Sequence, residues 1–182
     1  RSSAALTYDK ADQAMEEPGK DWHRMLAALD RVAQSLYRRR LEAGAVSIDR
    51  PEMVIKIDAT GDVKVRILSR ASRSRRMVAE LMIHCNSTLA ELSRAEGFPV
   101  AFRSQERPDL DDLQGVPEGL LRNYLVARRF PPAALSVVPA AHGGLGVPAY
   151  IQATSPLRRY PDLVMQRQIG SYDSKIAELY HF

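Results

Sequence analysis

Nine residues, Thr154-Ser155-Pro156-Leu157-Arg158-Arg159-Tyr160-Pro161-Asp162, hold the side chains best suited to gripping an anion. Ser155 can cap a helix, Pro156 suits a first helical position, and Leu157, Val164, Met165 and Ile169 continue an apolar helical stripe. The stretch is therefore expected to start a helix. A helix N-terminus offers free N–H groups and a partial positive charge, and so attracts anions. The same charge disfavours arginine there. Arg158 and Arg159 at this place call for negative charge. A bound phosphate would supply it, and so would Asp162, one turn on from Arg158. The residues alone leave both readings open.

Three further groups could do chemistry. Glu80, His84 and Asn86 lie in a run whose apolar face is broad: Met77, Val78, Leu81, Met82, Cys85, Leu89 and Leu92. Buried polar groups must be paired, so these three belong to a network or to a site. Glu80 and His84, four apart, could touch one metal, but a site needs three or four ligands. Asp109, Asp111 and Asp112 cluster at the start of a short helix, where carboxylates complement the helix dipole. His142-Gly143-Gly144-Leu145-Gly146 reads as backbone that turns sharply or passes close to something.

The elements that must position these groups follow from periodicity. Thr7 caps a short helix from Tyr8 to about Glu17. Asp21 caps a long one bearing the stripe Trp22, Met25, Leu26, Leu29, Val32, Ala33, Leu36 and Tyr37. Arg38, Arg39 and Arg40 close that helix, either complementing its dipole or touching a nucleic-acid backbone. Alternation at Met53, Ile55, Ile57 and at Val63, Val65, Ile67, around a turn at residues 59–62, gives a β-hairpin that Pro51 can begin. A second long helix runs from Ser72 or Arg73 to Glu96. Strands are expected at residues 98–103, 135–138 and 149–153, and helices at residues 118–129 and 174–180. Cys85 is expected in the core. The fold class is α+β, with long helices packed on a mixed or antiparallel sheet.

Composition narrows the function classes. The 182 residues are 45% hydrophobic and 26% charged, enough for one globular domain with a core. A formal charge of +4 permits nucleic acid without demanding it. One cysteine excludes a disulfide framework and a cysteine-built zinc site. No stretch is long and apolar enough to span a membrane, and the first residues do not form a signal peptide.

The ordered motifs have a family likeness. Ala5-Leu6-Thr7-Tyr8, Met77-Val78-Ala79-Glu80-Leu81-Met82-Ile83 with Asn86, His142-Gly143-Gly144-Leu145-Gly146, and Tyr150 with Thr154-Ser155-Pro156-Leu157-Arg158-Arg159-Tyr160 and Asp162 follow one another in the chain. Together they resemble the catalytic domain of the ribonuclease II and ribonuclease R (RNB) exoribonucleases, from Leu6 to about Ile169. The resemblance implies processive 3′-to-5′ hydrolysis of single-stranded RNA to nucleoside 5′-monophosphates with Mg²⁺. It implies that Arg158 and Glu80 are the catalytic residues, Arg158 polarising the scissile phosphate and Glu80 lying in the acidic helix motif near the catalytic centre, and that Tyr8 stacks on a base at the 3′ end. Thr154, Ser155, Arg159, Tyr160 and Asp162 would support the site or touch RNA. It also implies a monomeric enzyme, cytoplasmic or organellar, with no membrane association.

Departures from the pattern shape the expectation. The family's paired glutamates are here Ala79 and Glu80. A clamping phenylalanine of one branch falls at about Ser47. The family's aspartate metal ligands, and its flanking RNA-binding β-barrels, are expected outside these 182 residues, which read as the C-terminal part of an RNB domain. The chain alone is therefore expected to be inactive. Two other readings remain: an RNB-like module that binds RNA or serves as a scaffold without catalysis, favoured by Ala79, and an α+β domain whose arginines are structural.

Overall fold

Thr7 caps as its position predicts. Its Oγ1 accepts the Lys10 N–H at 3.3 Å and opens α1 (Tyr8–Glu16). In the computed structural model, residues 5–19, 22–48, 52–58, 60–68 and 72–180 are described. Expectations for Ser2–Ala4, Asp21, Pro51 and Ala59 fall outside them. α2 (His23–Glu42) buries Leu26 and Ala33 of the predicted stripe but leaves Trp22, Met25 and Val32 exposed, and it ends at Gly44, whose φ of +90° suits glycine. β1 (Glu52–Ile57) and β2 (Val63–Leu68) form the hairpin, with Ile55 opposite Val65 and Ile57 opposite Val63.

α3 (Arg73–Glu96) is the longest helix, capped by Ser72 and stopped by Gly97 in the left-handed region. Then come β3 (Phe102–Ser104), a single 3₁₀ turn at Asp111–Leu113, α4 (Leu120–Arg129), β4 (Ala134–Ser136) and α5 (Tyr160–Tyr180). The class is α+β. Among the described residues its β part is two separate antiparallel pairs, β1–β2 and β3–β4, rather than one larger sheet.

Two apolar clusters hold the helices. Ala11 and Met15 of α1, Leu26 and Ala33 of α2, and Met77 of α3 form one. Ala90 of α3, Phe98, Val100, Phe102, Ala149, Ile151, Ala153 and Met165 of α5 form the other. Ile151 is fully buried, worth about 2 kcal/mol by apolar transfer. α3 serves both clusters, so it is the beam on which the site elements hang.

Three local expectations are corrected. Residues 149–153 are extended and mostly buried but form no strand. The Arg103 N–H reaches the Tyr150 carbonyl at 2.8 Å, but three other backbone groups go to side chains: Ser87 donates to the Ala149 carbonyl, Asn86 accepts from the Ala153 N–H, and Gln166 donates to the Ala153 carbonyl. The final helix is not a separate piece at 174–180 but the end of α5. Cys85 is exposed rather than in the core; position 85 falls on the solvent side of α3, between the buried faces marked by Glu80 and Asn86.

Candidate functional site

The arginine stretch is a turn, and the helix starts later than its sequence suggests. Residues 156–158 turn, with the N–H groups of Arg158 and Arg159 both donating to the Ser155 carbonyl. α5 begins only at Tyr160. Asp162, fully buried, explains the shift. Its Oδ2 reaches back to accept the Ser155 N–H at 2.8 Å and the Arg159 Nη2 at 2.7 Å. The ion pair therefore belongs to Arg159, three residues away, not to Arg158. A carboxylate inside the first turn of a helix also sits favourably in the dipole.

That pairing frees Arg158. Arg158 is exposed, and among the described residues its guanidinium hydrogen-bonds to the Ser155 hydroxyl, at 3.4 Å. Leu157 and Tyr160 beside it are exposed as well. The turn thus presents one cation to solvent on a backbone pinned by a buried carboxylate. This arrangement suits a phosphate, because charge held in place needs no reorganisation when an anion develops.

Asn86 fastens the turn to α3. It is 1% exposed. Its Nδ2 donates to the Tyr150 hydroxyl at 3.0 Å and to Thr154 Oγ1 at 3.2 Å, and its Oδ1 accepts the Ala153 N–H at 3.0 Å. Thr154 is thereby a fixed support of the turn.

Glu80 lies six residues earlier on α3, about 9 Å along the axis. It is 4% exposed, and both its oxygens are taken by Arg40: Nε to Oε2 at 2.8 Å and Nη2 to Oε1 at 2.5 Å. Arg40 Nη1 also donates to the Leu145 carbonyl at 2.7 Å. Such bidentate, charge-assisted pairs are strong and directional. Glu80 thus sets Arg40, and Arg40 sets the glycine-rich loop.

The loop's glycines are required by close approach. A Cβ on Gly146 would lie 2.6 Å from the Arg40 carbonyl oxygen and 2.7 Å from the Ala45 nitrogen. A Cβ on Gly144 would lie 2.5 Å from the Phe130 ring, and one on Gly143 2.6 Å from the Arg107 nitrogen. Backbone atoms bar a side chain at Gly143 and Gly146, and one at Gly144 would displace the Phe130 ring and the Gln105 side chain. His142, 7% exposed, stands edge-on to the Tyr150 ring. Burial, with the nearby Arg103 charge, pushes its pKa down to about 4.

Tyr8 and Glu80 meet in one open cavity of about 620 Å³, together with Tyr37, Arg40, Arg75 and Arg76. Ala79 and Ser47 also line it; the turn carrying Arg158 does not. Tyr8 is 39% exposed, and the Arg75 guanidinium carbon lies 4.4 Å from its ring centroid. Arg76 and Arg40 lie over Tyr37 at 5.8 and 6.0 Å. Stacked cations and aromatic faces around an open cavity are a setting for flat anionic ligands such as nucleotides.

Asp12 of α1 braces this wall, accepting the Ser74 N–H at 2.8 Å and the Ser72 hydroxyl at 2.7 Å. Burial alone would raise the Asp12 pKa, but the Ser72 and Ser74 hydrogen bonds and the Arg73 charge outweigh it and hold it below the ordinary value.

The described residues offer no site that fits magnesium. Among the described residues no three His, Cys, Asp or Glu side chains gather as a metal site. Asp112 pairs with Arg129, and Asp109 accepts the Asp111 N–H. The acidic cluster organises its own turn.

Arg40, Arg75 and Tyr37 carry more of the site than their sequence context suggests. Arg40 had a signal. It stands seven residues after buried Ala33 and three after Tyr37, on the inward stripe of α2. A charge on that stripe needs a buried partner, and Glu80 on the apolar face of α3 has the same need. Arg75 had only its place in an acid-free first turn, where cations are disfavoured.

Comparison with known proteins identifies the family and the fold. The RNB domain family model matches residues 1–175. An uncharacterized ribonuclease of Synechocystis sp. is 34% identical over 175 residues, covering 92% of this chain and 25% of the relative. RNase R of Mycoplasma genitalium, solved with ribose-methylated single-stranded RNA, superposes with a TM-score of 0.74 at 22% identity over 90% of this chain and 32% of that one. Yeast Ssd1, described as a pseudonuclease, superposes with a TM-score of 0.59 at 19% identity over 90% of this chain and 25% of that one. The chain spans about a quarter of the length of the curated relatives it matches.

Proposed function

The chain belongs to the RNB domain family, and on that premise we propose that it forms part of a 3′-to-5′ exoribonuclease that processively hydrolyses single-stranded RNA to nucleoside 5′-monophosphates. The enzyme works as a monomer in the cytoplasm and uses Mg²⁺. Among the described residues no metal site gathers, and no step through the metal is assigned to this chain. The 182 residues alone are inactive.

The observation that carries this reading is the exposed Arg158 on a turn pinned by buried Asp162. Arg158 binds the scissile phosphate and stabilises the charge that develops on its oxygens. Arg159, Asp162, Ser155 and Thr154 hold the turn that aims it. Tyr8 stacks on a base near the 3′ end, and exposed Tyr160 flanks the strand. Glu80 acts through Arg40 and the loop rather than on RNA.

The test is turnover of labelled single-stranded RNA by the full-length protein. Arg158→Ala is expected to slow it about 10²–10³-fold, as for loss of one oxyanion donor. Degradation at the wild-type rate would remove Arg158 from the mechanism.

Ala79, on the cavity wall beside Glu80, favours a second reading, an RNB-like scaffold that holds RNA without cutting it. Full-length protein that binds single-stranded RNA with a steep salt dependence yet releases no nucleotides would establish that reading over the first.

A further inference from the structure

We propose that the outward face of α2 is a backbone track for RNA, a contact separate from the cavity that holds Tyr8 and Glu80. Arg24, Arg31 and Arg38 bind successive phosphates along it. The proposal rests on the reading of this protein as one that acts on RNA.

α2 presents two faces with different partners. Tyr37 and Arg40 line the cavity, and Arg40 is bound to Glu80 and to the Leu145 carbonyl. Arg38, two residues before Arg40, is exposed. Two residues turn a helix through about 200°, so Arg38 points away from the cavity. Arg31 and Arg24, at successive steps of seven residues, are exposed as well. Seven residues make nearly two turns. The three arginines therefore form one row, about 10 Å apart and about 21 Å from end to end.

The row carries one sign of charge. A solvated helix face ordinarily mixes signs, because opposite charges three or four residues apart support each other. Here Asp30 is buried and paired with Arg73 at 2.6 Å. Glu42, in the last turn, is the other acid of the helix. Among the described residues no carboxylate pairs with Arg24, Arg31 or Arg38. Arg24 also stands in a first turn without an acid, where a cation is disfavoured. A polyanion laid along the row offsets that cost.

The surface has room for it. Arg24 and Arg31 line an open groove of about 460 Å³ with His23, Met25, Ala27 and Ala28. The short alanine side chains let a sugar–phosphate backbone lie close to the helix. Guanidinium forks match phosphate oxygens, and contacts of this kind hold a strand without reading its sequence.

The experiment measures the salt dependence of binding of two single-stranded phosphorothioate RNAs to the full-length protein. One is a trinucleotide, short enough to stay within the cavity, and the other is a long oligoadenylate. Replacing Arg24→Gln, Arg31→Gln and Arg38→Gln together is expected to lower the log–log salt slope for the long RNA by about 2, because each phosphate contact on a single strand contributes about 0.7. At about 0.1 M salt that slope corresponds to about a hundredfold weaker binding. Trinucleotide binding is expected to stay unchanged, which also shows that the variant is folded. The corresponding three lysine substitutions are expected to keep the slope, since the contact is charge on phosphate.

An unchanged slope for the long RNA would overturn the track and leave the cavity standing. Equal losses on both RNAs would overturn it as well, because the arginines would then act on the cavity through the fold. A lysine variant as weak as the glutamine one would overturn the assignment of phosphate charge. An unchanged RNA slope, with binding of polyglutamate that the glutamine substitutions abolish, would overturn the track in favour of an acidic protein partner. Wild-type protein that binds neither RNA would overturn the track and the RNA reading together.

Discussion

Glu80→Gln separates a structural carboxylate from a reacting one. The substitution keeps shape and removes charge. In the wild type both Glu80 oxygens accept from Arg40, at 2.8 and 2.5 Å, with the carboxylate 4% exposed. Breaking a buried pair by removing one partner costs about 3–5 kcal/mol, chiefly because the other charge is stranded. Arg40 keeps its bond to the Leu145 carbonyl, and its side chain is 15% exposed, so the lower end, about 3 kcal/mol, applies. Hydrogen exchange of α2 and α3 in the full-length protein reads this locally, and 3 kcal/mol corresponds to about 150-fold faster exchange. Arg40→Met with Glu80→Leu, which strands no charge, is expected to recover most of the loss. RNA turnover should fall in step with the loosening of the loop. Unchanged exchange with abolished turnover would refute the structural role and make Glu80 a group that acts on RNA directly.

Other consequences are as open to measurement. Gly146→Ala is expected to cost about 2–3 kcal/mol in chemical denaturation, since its Cβ meets the Arg40 carbonyl oxygen at 2.6 Å and φ is +64°. Gly61→Ala, with nothing within 4 Å, should cost only about 1 kcal/mol. Asn86→Ala loses three hydrogen bonds that hold Tyr150, Ala153 and Thr154, and should cost about 3 kcal/mol while lowering turnover through the Arg158 turn. His142 is held neutral, its pKa lowered to about 4 by burial and Arg103. Unfolded protein takes up a proton below about pH 6.5 that the native state refuses. The group's contribution is therefore complete above pH 6.5 and is lost as pH falls towards 4, by about 3 kcal/mol. His142→Phe should flatten that part of the pH–stability curve, and an unchanged curve would rule the histidine out as its source.

Periodicity and punctuation determined the helices. The stripe from Leu26 to Tyr37 and the Thr7, Ser72, Gly44 and Gly97 boundaries are local signals, legible without a fold. The alternation at Ile55–Ile57 and Val63–Val65 determined the hairpin for the same reason. Motif order determined the RNB resemblance that the family match bears out. Residues 149–153 read as a strand because they are apolar and extended, but strand status depends on which neighbour takes the backbone hydrogen bonds. There the partners are Asn86, Ser87 and Gln166, more than ten residues away or more than sixty.

Partner choice among charges was likewise outside the reach of the sequence. Arg158 and Arg159 are adjacent and both within a turn of Asp162, so spacing alone could not assign the ion pair. Burial decided it: Asp162 lies fully inside and reaches back to Ser155, which places Arg159 on the carboxylate and leaves Arg158 facing solvent. Glu80 met Arg40 across forty residues, and Tyr8 met Arg75 across sixty-seven. The sequence by itself determined which residue types were available and which helix faces turned inward. Tertiary structure alone decided which charges neutralise one another and which face solvent, because a cation's partner is set by distance and desolvation, and neither is a property of position along the chain.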